Sequence, residues 1–435
     1  MRQQLIHKSG AQTALESCAI MIHGEAAPGE FDDQASPHAS IKSTIVFLPL
    51  FAPFGISSGY VTVTLGFQLG QAGVPTAVIA GMLALSVWPQ TWKMLWAPVV
   101  DTLGNPKLWY GLGTAIVALS ILLMSLLPAT ASGISALSSL VVLSSLASTL
   151  VAMASEVFMG HGVAPEMRGR ASGWAQAGNL GGAGIGGGLG LALVENLSRP
   201  WVSGAVLAVI CVACWAAVLA VPKVRRTRET LHYWQSLKGV LLDVWSVARS
   251  RTGFLVLFIM LLPIGTGAVA WSAIASEWRA SGNMVALVSG VLTGLVSALG
   301  ALVGGYICDR INVKLAYFLF GLTAGVAAVI MAWAPRTPEM FALFVLIYAL
   351  MVGAAYAGYS AIVLQAIGKQ SVATNFSLMA ALSNVPIAAM TEFDGWTHDR
   401  FGTIGMLYGE LAMPLLAIAA FALLYFAIRR RACFL

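Results

Sequence analysis

Charge is the scarcest resource in this sequence. Only 10% of its 435 residues are Asp, Glu, Lys or Arg, against roughly 25% in a soluble domain. A chain so poor in charge and 58% apolar cannot cover a globule with polar surface, which excludes an ordinary soluble fold. Cysteine is sparse and odd in number: Cys18, Cys211, Cys214, Cys308 and Cys433. The Cys211/Cys214 pair stands inside an apolar run, with no second pair or histidine pair to complete a zinc site. The sequence also lacks G-x-x-x-x-G-K-[ST], G-x-S-x-G and H-E-x-x-H, and its six histidines leave few general bases. Nucleotide-driven pumping, serine hydrolysis and zinc proteolysis are therefore excluded, and no enzyme activity, cofactor or metal is expected.

What the sequence does contain is apolar runs of about 20 residues, the length a helix needs to cross ~30 Å of hydrocarbon. Twelve are found, at 44–66, 76–99, 108–128, 132–159, 170–194, 200–221, 253–275, 284–306, 315–334, 340–366, 372–393 and 404–428. They predict an all-α membrane protein of two six-helix bundles, 43–221 and 253–428. Residues 1–42 read as a disordered tail, and 429–435 as a short basic tail. Between the bundles, 222–252 carries Leu231, Trp234, Leu237, Val240, Leu241, Val244 and Trp245 at spacings of three and four, the pattern of an amphipathic helix on a membrane surface.

An even number of crossings puts both termini on one side. With that side cytoplasmic, only Arg199, Arg279, Arg336 and Arg400 fall outside and Lys93 lies within a span, so the basic residues specify the orientation. The net charge of +6 and pI of about 9.1 then reflect loops facing anionic inner-leaflet lipid, not a nucleic-acid surface. A multi-pass monomer in the plasma membrane, of the bacterial inner-membrane kind, is the expected form, with the bilayer, a small-molecule substrate and protons as its partners. The sequon Asn196-Leu197-Ser198 lies in an outward loop.

The two halves echo each other. APVVDTLGNPK (Ala97 to Lys107) closes the second span and GYICDRINVK (Gly305 to Lys314) the eighth. Each puts an aspartate at a helix end, four residues after a small residue. This resembles the G-x-x-x-D-R-x-G-R-R loop of the major facilitator superfamily, through Asp101, Gly104 and Lys107 in the first copy and Gly305, Asp309, Arg310 and Lys314 in the second. Ala97 replaces the glycine and Thr102 the arginine in the first. The resemblance implies a twelve-helix transporter whose halves are latched through these loops in one access state and released in another.

TWKMLWAPVVD (Thr91 to Asp101) further resembles the K-x-L-W-[SA]-P-x-x-D element of the branch containing muropeptide permeases, acetyl-coenzyme A transporters and some siderophore permeases. Pro53, Gly55 and Gly59, and Glu156 with PEMRGRASGW (Pro165 to Trp174), are similar to the same branch, although Val151 and Ala152 stand where an earlier acidic residue is expected.

Lys93 and Glu156 are ionisable residues inside spans, and hence functional-site candidates on cost alone. The expectation is a buried pair, or a Lys93 contact to an anionic substrate, with Glu156 as the proton-coupling group and His161 in the loop beyond. A snorkelling Lys93 is the bland alternative. The family arrangement implies that spans one, four, seven and ten line the path, making Tyr60, Ser148, Thr149, Trp271, Tyr356, Tyr359 and Gln365 substrate candidates. Pro49, Pro53 and Gly55 in span one, and Pro263, Gly265 and Gly267 in span seven, predict paired helix breaks. Glu392, Asp394, His398, Asp399 and Arg400, with Glu410, form either an outer gate or a solvated loop.

GNLGGAGIGGGLGL (Gly178 to Leu191) lies within span five, where backbone groups must pair and only helix serves. Gly178, Gly182, Gly186 and Gly190 make one smooth stripe for close helix packing, expected at the interface between halves, and Gly184 and Gly188 widen it. The run also resembles the fifth-helix motif of major facilitator antiporters, with Ala183 in place of its proline. The expected function is secondary transport of a small organic solute, with import suggested by the branch and export by this run. A drug or metabolite exporter, a transporter-like receptor and a membrane-embedded enzyme without flux are the alternatives.

Overall fold

A computed structural model describes residues 41, 43–103, 105–197, 199, 201–222, 233–267, 269, 271–367 and 371–432. The tail at 1–40, Gly104, Leu231 and residues 433–435 lie outside the described residues, as do the side chains of Trp234 and of Arg429 to Arg431. All regular structure described is helical. The first bundle comprises α1 (Thr44–Gln71), α2 (Thr76–Trp92, continuing through a 3-10 turn at Lys93–Leu95 into Ala97–Thr102), α3 (Pro106–Leu126), α4 (Ile134–Gly162), α5 (Pro165–Asn196) and α6 (Trp201–Ala220). A linker helix (Tyr233–Arg249) follows. The second bundle has α7 (Arg251–Met260, resuming at Trp271–Ile274), α8 (Leu287–Cys308), α9 (Val313–Trp333), α10 (Pro338–Ala366), and α11 and α12, which share Val372–Ala432.

Nine helices among the described residues are long and apolar enough to cross a membrane. One of these holds two crossings: at Gly402 the backbone turns to φ 70°, ψ −174°, a conformation that a residue without a Cβ adopts cheaply. Gly409 of α12 then lies on the ring of Phe393 in α11. In a continuous helix these residues would be ~24 Å apart, so the chain doubles back. The two remaining crossings, α2 and α7, are interrupted helices, which completes the twelve. Helix also replaces the expected loop at 394–403 and extends past 428 to Ala432.

The predicted break in α7 is present. Residues 261–267 leave the helix, with Gly265 and Gly267 at φ 61° and 66°, and the Tyr317 hydroxyl donates to the Ile264 carbonyl at 2.9 Å, pairing a group that unwinding frees. No matching break exists in α1. The helix runs through Pro53 and becomes π-helical at Tyr60–Leu65. Pro49 lies in the first turn of the Phe47–Gly59 helix, where no N–H partner is lost.

Packing differs between the two membrane faces. On the side carrying Asp101 and Asp309, called the basic side below, one apolar cluster draws on both bundles, from Phe47, Ala97 and Phe158 to Cys308, Ala361 and Phe376. Toward the opposite side each bundle has its own cluster, one around Tyr60, Met82 and Leu207 and the other around Trp278, Phe341 and Leu407.

The stripe Gly178, Gly182, Gly186 and Gly190 faces α1 of its own bundle, at Leu48, Ala52, Ile56 and Thr64. This corrects its expected place between halves. Gly55 and Gly59 of α1 meet Asn179 and Ala183 in return, so close that an added Cβ would sit 1.9 and 2.0 Å from their carbonyl oxygens. A π-helical turn at Ile185–Leu189 leaves the Gly186 and Gly187 carbonyls to accept from Thr64 Oγ1. Another glycine face, Gly173, Gly181, Gly184 and Gly188, meets Ala301, Ala298, Leu295 and Val291 of α8. That second face is the inter-bundle seam.

Candidate functional site

Lys93 and Glu156 meet. The 3-10 turn at Lys93–Leu95 turns the lysine toward α4, and Nζ donates to Glu156 Oε1 at 3.0 Å with the two residues 6% and 2% exposed. Lys93 is thus buried and paired, not snorkelled. One helical turn to either side, Gln90 Nε2 donates to Ser148 Oγ and Trp96 Nε1 to Thr149 Oγ1, both at 3.0 Å. The α2–α4 seam thus has three polar contacts, two of them received on α4 by adjacent residues about two turns before Glu156. Glu156 Oε2 has no hydrogen-bond partner.

Across the divide, Tyr359 of α10 lies within electrostatic reach of Glu156. Tyr359 and Tyr356 also line a cavity with Gly265, Thr266, Tyr317 and Ser383, so the unwound part of α7 forms one wall. The structure therefore pairs Lys93 with Glu156 in the first bundle and places Tyr356 and Tyr359 together on the cavity in the second. Tyr60 is instead enclosed in the first bundle's own core, Trp271 packs edge-on against Tyr348 at 5.1 Å, and Gln365 is exposed near the basic end of α10. These three lie away from the cavity. His161 lies in the last turn of α4, not in a loop, with Nδ1 3.0 Å from the Val157 carbonyl.

The two loop aspartates form a symmetrical latch. Asp309, at the end of α8, accepts from the backbone N–H groups of Gly169 and Arg170 at 2.7 and 3.2 Å and from Arg170 Nε at 2.6 Å. Asp101, at the end of α2, accepts from the N–H groups of Ala373 and Thr374 at 3.1 and 2.8 Å and from Thr374 Oγ1 at 2.7 Å. Each carboxylate thereby caps the N-terminal turn of a helix in the opposite bundle, where unpaired N–H groups and the helix dipole favour an anion.

The first copy needs no arginine, because a threonine hydroxyl supplies the third donor. Gly305 allows the approach: a Cβ there would stand 2.5 Å from the Gly169 oxygen. The basic residues of the motif serve their own bundle instead. Lys107 Nζ donates to the Val218 and Val221 carbonyls, and Arg310 stacks 3.7 Å over Tyr306. Lys314 stands in the first turn of α9, where its N–H donates to the Asn312 side chain.

Two contacts beside the latch carry no sequence signal. Gln176 Nε2 donates to Ser360 Oγ at 2.8 Å between α5 and α10, and Asn375 Nδ2 donates to Asp243 Oδ2 at 3.0 Å. Each is a lone pair of common polar residues, about 130 or more positions apart in the chain. The second ties the linker helix to the same turn of α11 that Asp101 caps.

Hydrogen bonds to a charged group contribute roughly 1.5–3 kcal/mol, so Asp101→Ala should shift the protein toward opening on the basic side. Cys308, buried beside Asp309, reports this from the other seam. With the remaining cysteines replaced by serine, alkylation of Cys308 by an aqueous maleimide should accelerate about 5–30-fold, the factor that corresponds to 1–2 kcal/mol. Unchanged reactivity would mean that Asp101 does not hold the basic side shut.

Two pseudo-equivalent six-helix bundles, latched to each other at one face and with a buried ion pair inside the first, are the architecture of a membrane transporter. The Major Facilitator Superfamily model matches residues 40–390, more than half of the chain, and the chain belongs to that superfamily. No curated protein matches the sequence. Among solved structures, the human organic anion transporter MFSD10 (TETRAN) is similar at a TM-score of 0.66 and 17% identity, over 87% of this chain and 98% of that one. The proton:xylose symporter XylE is similar at 0.62 and 11%, over 86% and 92%. A bacterial homologue of the iron transporter ferroportin, in an outward-facing state, is similar at 0.60 and 16%, over 88% and 98%. At these identities the likeness is one of fold.

Proposed function

We propose that this chain is a proton-coupled secondary transporter for a small anionic organic solute, working by alternating access as a monomer with its basic side cytoplasmic. One observation carries the reading: Lys93 is a buried cation that, among the described residues, is paired with Glu156 alone, with Tyr359 of the other bundle within electrostatic reach of that carboxylate. An anionic solute group that reaches Lys93 competes with Glu156 for it. Glu156, losing its cation in an apolar setting, takes up a proton rather than remain a buried unpaired charge. Solute and proton are thereby linked through one lysine.

The Thr91 to Asp101 element favours the solute classes of its branch, namely muropeptides, coenzyme A esters and siderophores, all of which carry anionic groups, and favours import. The glycine run of α5 lends export no separate support, since its stripe is occupied with α1. A thermal-shift screen of those three classes and of cationic drugs on the purified protein identifies the ligand, and counterflow in proteoliposomes then tests transport. Glu156→Gln should abolish uptake driven by a pH gradient yet spare counterflow. Equal loss of both in well-folded protein would give Glu156 a structural or solute-binding role. Binding without counterflow would favour a transporter-like receptor.

A further inference from the structure

The second bundle holds another buried acidic site, which neither the latch nor the Lys93 pair uses. Asp394 of α11 and Glu410 of α12 are 3% and 4% exposed, and the hairpin at Gly402, which lays Gly409 on the ring of Phe393, brings these two neighbouring side chains into one buried site where their charges interact. Tyr348 of α10, itself buried, donates its hydroxyl to Glu410 Oε2 at 2.5 Å. Among the described residues, both oxygens of Asp394 and Oε1 of Glu410 lack a donor.

The surrounding groups do not offset this charge. From the α7 side, Glu277 pairs with Arg336 at 3.4 Å and accepts from Thr403, while the Arg336 guanidinium stacks on Trp278. The α10 helix contributes the phenol of Tyr348, and α9 meets Glu410 through the backbone of Gly325. On α11, His398 faces the exposed Asp399 at 3.9 Å. Among the described residues, no cation reaches the two carboxyls.

Two anions buried together without a cation cost several kcal/mol each, and orphaned carboxylate oxygens add to that. One proton removes most of the penalty. It makes Asp394 a donor to Glu410, pairs two orphaned oxygens and halves the charge. A metal ion is served less well, because two carboxyls and a phenol fall short of the six or more oxygens that a hard cation takes, and no group of three or more metal-binding side chains occurs among the described residues.

We propose that Asp394 and Glu410 form a proton-binding dyad that shares one proton, with Tyr348 fixing Glu410. Its use rests on the transporter reading. Tyr348 and Tyr359 are eleven residues apart, about three turns, and so lie on one face of α10. Loading the dyad and moving Tyr359 relative to Glu156 are then movements of the same helix.

The test needs no solute. Infrared difference spectra of the full-length protein in detergent, titrated in pH, should show the carbonyl band of a protonated carboxyl, sensitive to D2O and lost as pH rises. D394N and E410Q should each move that band in frequency and midpoint, because the carboxyl left behind holds its proton alone, whereas E156Q and added NaCl should leave the wild-type band in place. Tyr348→Phe, which keeps both carboxyls and the apolar packing, should shift the band, and it stands in if either amide variant fails to yield monodisperse protein. A wild-type protein with no titrating band, a band unchanged in either amide variant, or one discharged by NaCl at constant pH would overturn the dyad. Absence of counterflow with the band intact would overturn the transporter reading alone.

Discussion

Gly178→Leu should leave little folded protein. A Cβ at Gly178 would stand 2.2 Å from the Leu48 carbonyl oxygen of α1, and backbone cannot rotate aside as a side chain can. Overpacking in a well-packed core costs about 1–3 kcal/mol even where side chains can yield, and here the whole α1–α5 interlock must part, including the Thr64 contacts to Gly186 and Gly187. The expected result is loss of the monodisperse peak on size exclusion after membrane extraction. Gly182→Leu, against the Ala52 oxygen at 2.6 Å, should behave the same way.

Gly188→Leu is the control, because its neighbour is the Val291 side chain of the other bundle at 3.1 Å. It should yield folded protein with altered switching. If Gly178→Leu extracts as well as wild type, the α1–α5 contact is looser than described.

Lys93→Ala should destabilise the protein more than removing both partners of the ion pair. Stripping the cation leaves Glu156 buried and uncompensated, a situation that costs about 3–5 kcal/mol. In Lys93→Ala/Glu156→Ala the uncompensated charge is gone and only packing and two desolvated partners are lost. The apparent melting temperature of the double variant in detergent should therefore exceed that of Lys93→Ala, with a coupling of roughly 1–3 kcal/mol in the cycle. Additive losses would show that the two residues do not stabilise each other. A Lys93→Ala variant more stable at low pH than at neutral pH would support the same picture, since protonation then neutralises Glu156.

Much of this was legible in the chain because a membrane imposes period, length and polarity on sequence. The apolar runs, the paired aspartate loops and the two charges inside spans each stand out against an apolar background, and each leads to a feature of the fold. The break in α7 was legible as well, since Gly265 and Gly267 adopt positive φ. Its expected twin in α1 was not there, because a proline in a helix costs only one hydrogen bond and some room, both of which neighbouring helices can supply. Asp394 and Glu410 read equally well as a gate or a wet loop, since linear spacing does not show that α11 and α12 fold back to bury them side by side.

The sequence alone determined that this is a twelve-crossing membrane protein with repeated halves, because hydropathy and charge are local properties that the bilayer reads directly. Only tertiary structure decided what each marked residue touches. The glycines of α5 show this most clearly: two faces of one helix, equally smooth in sequence, join α1 within a bundle on one side and α8 of the other bundle on the other. A helix presents every face with the same period, and the choice between neighbours is made by the packing of the whole.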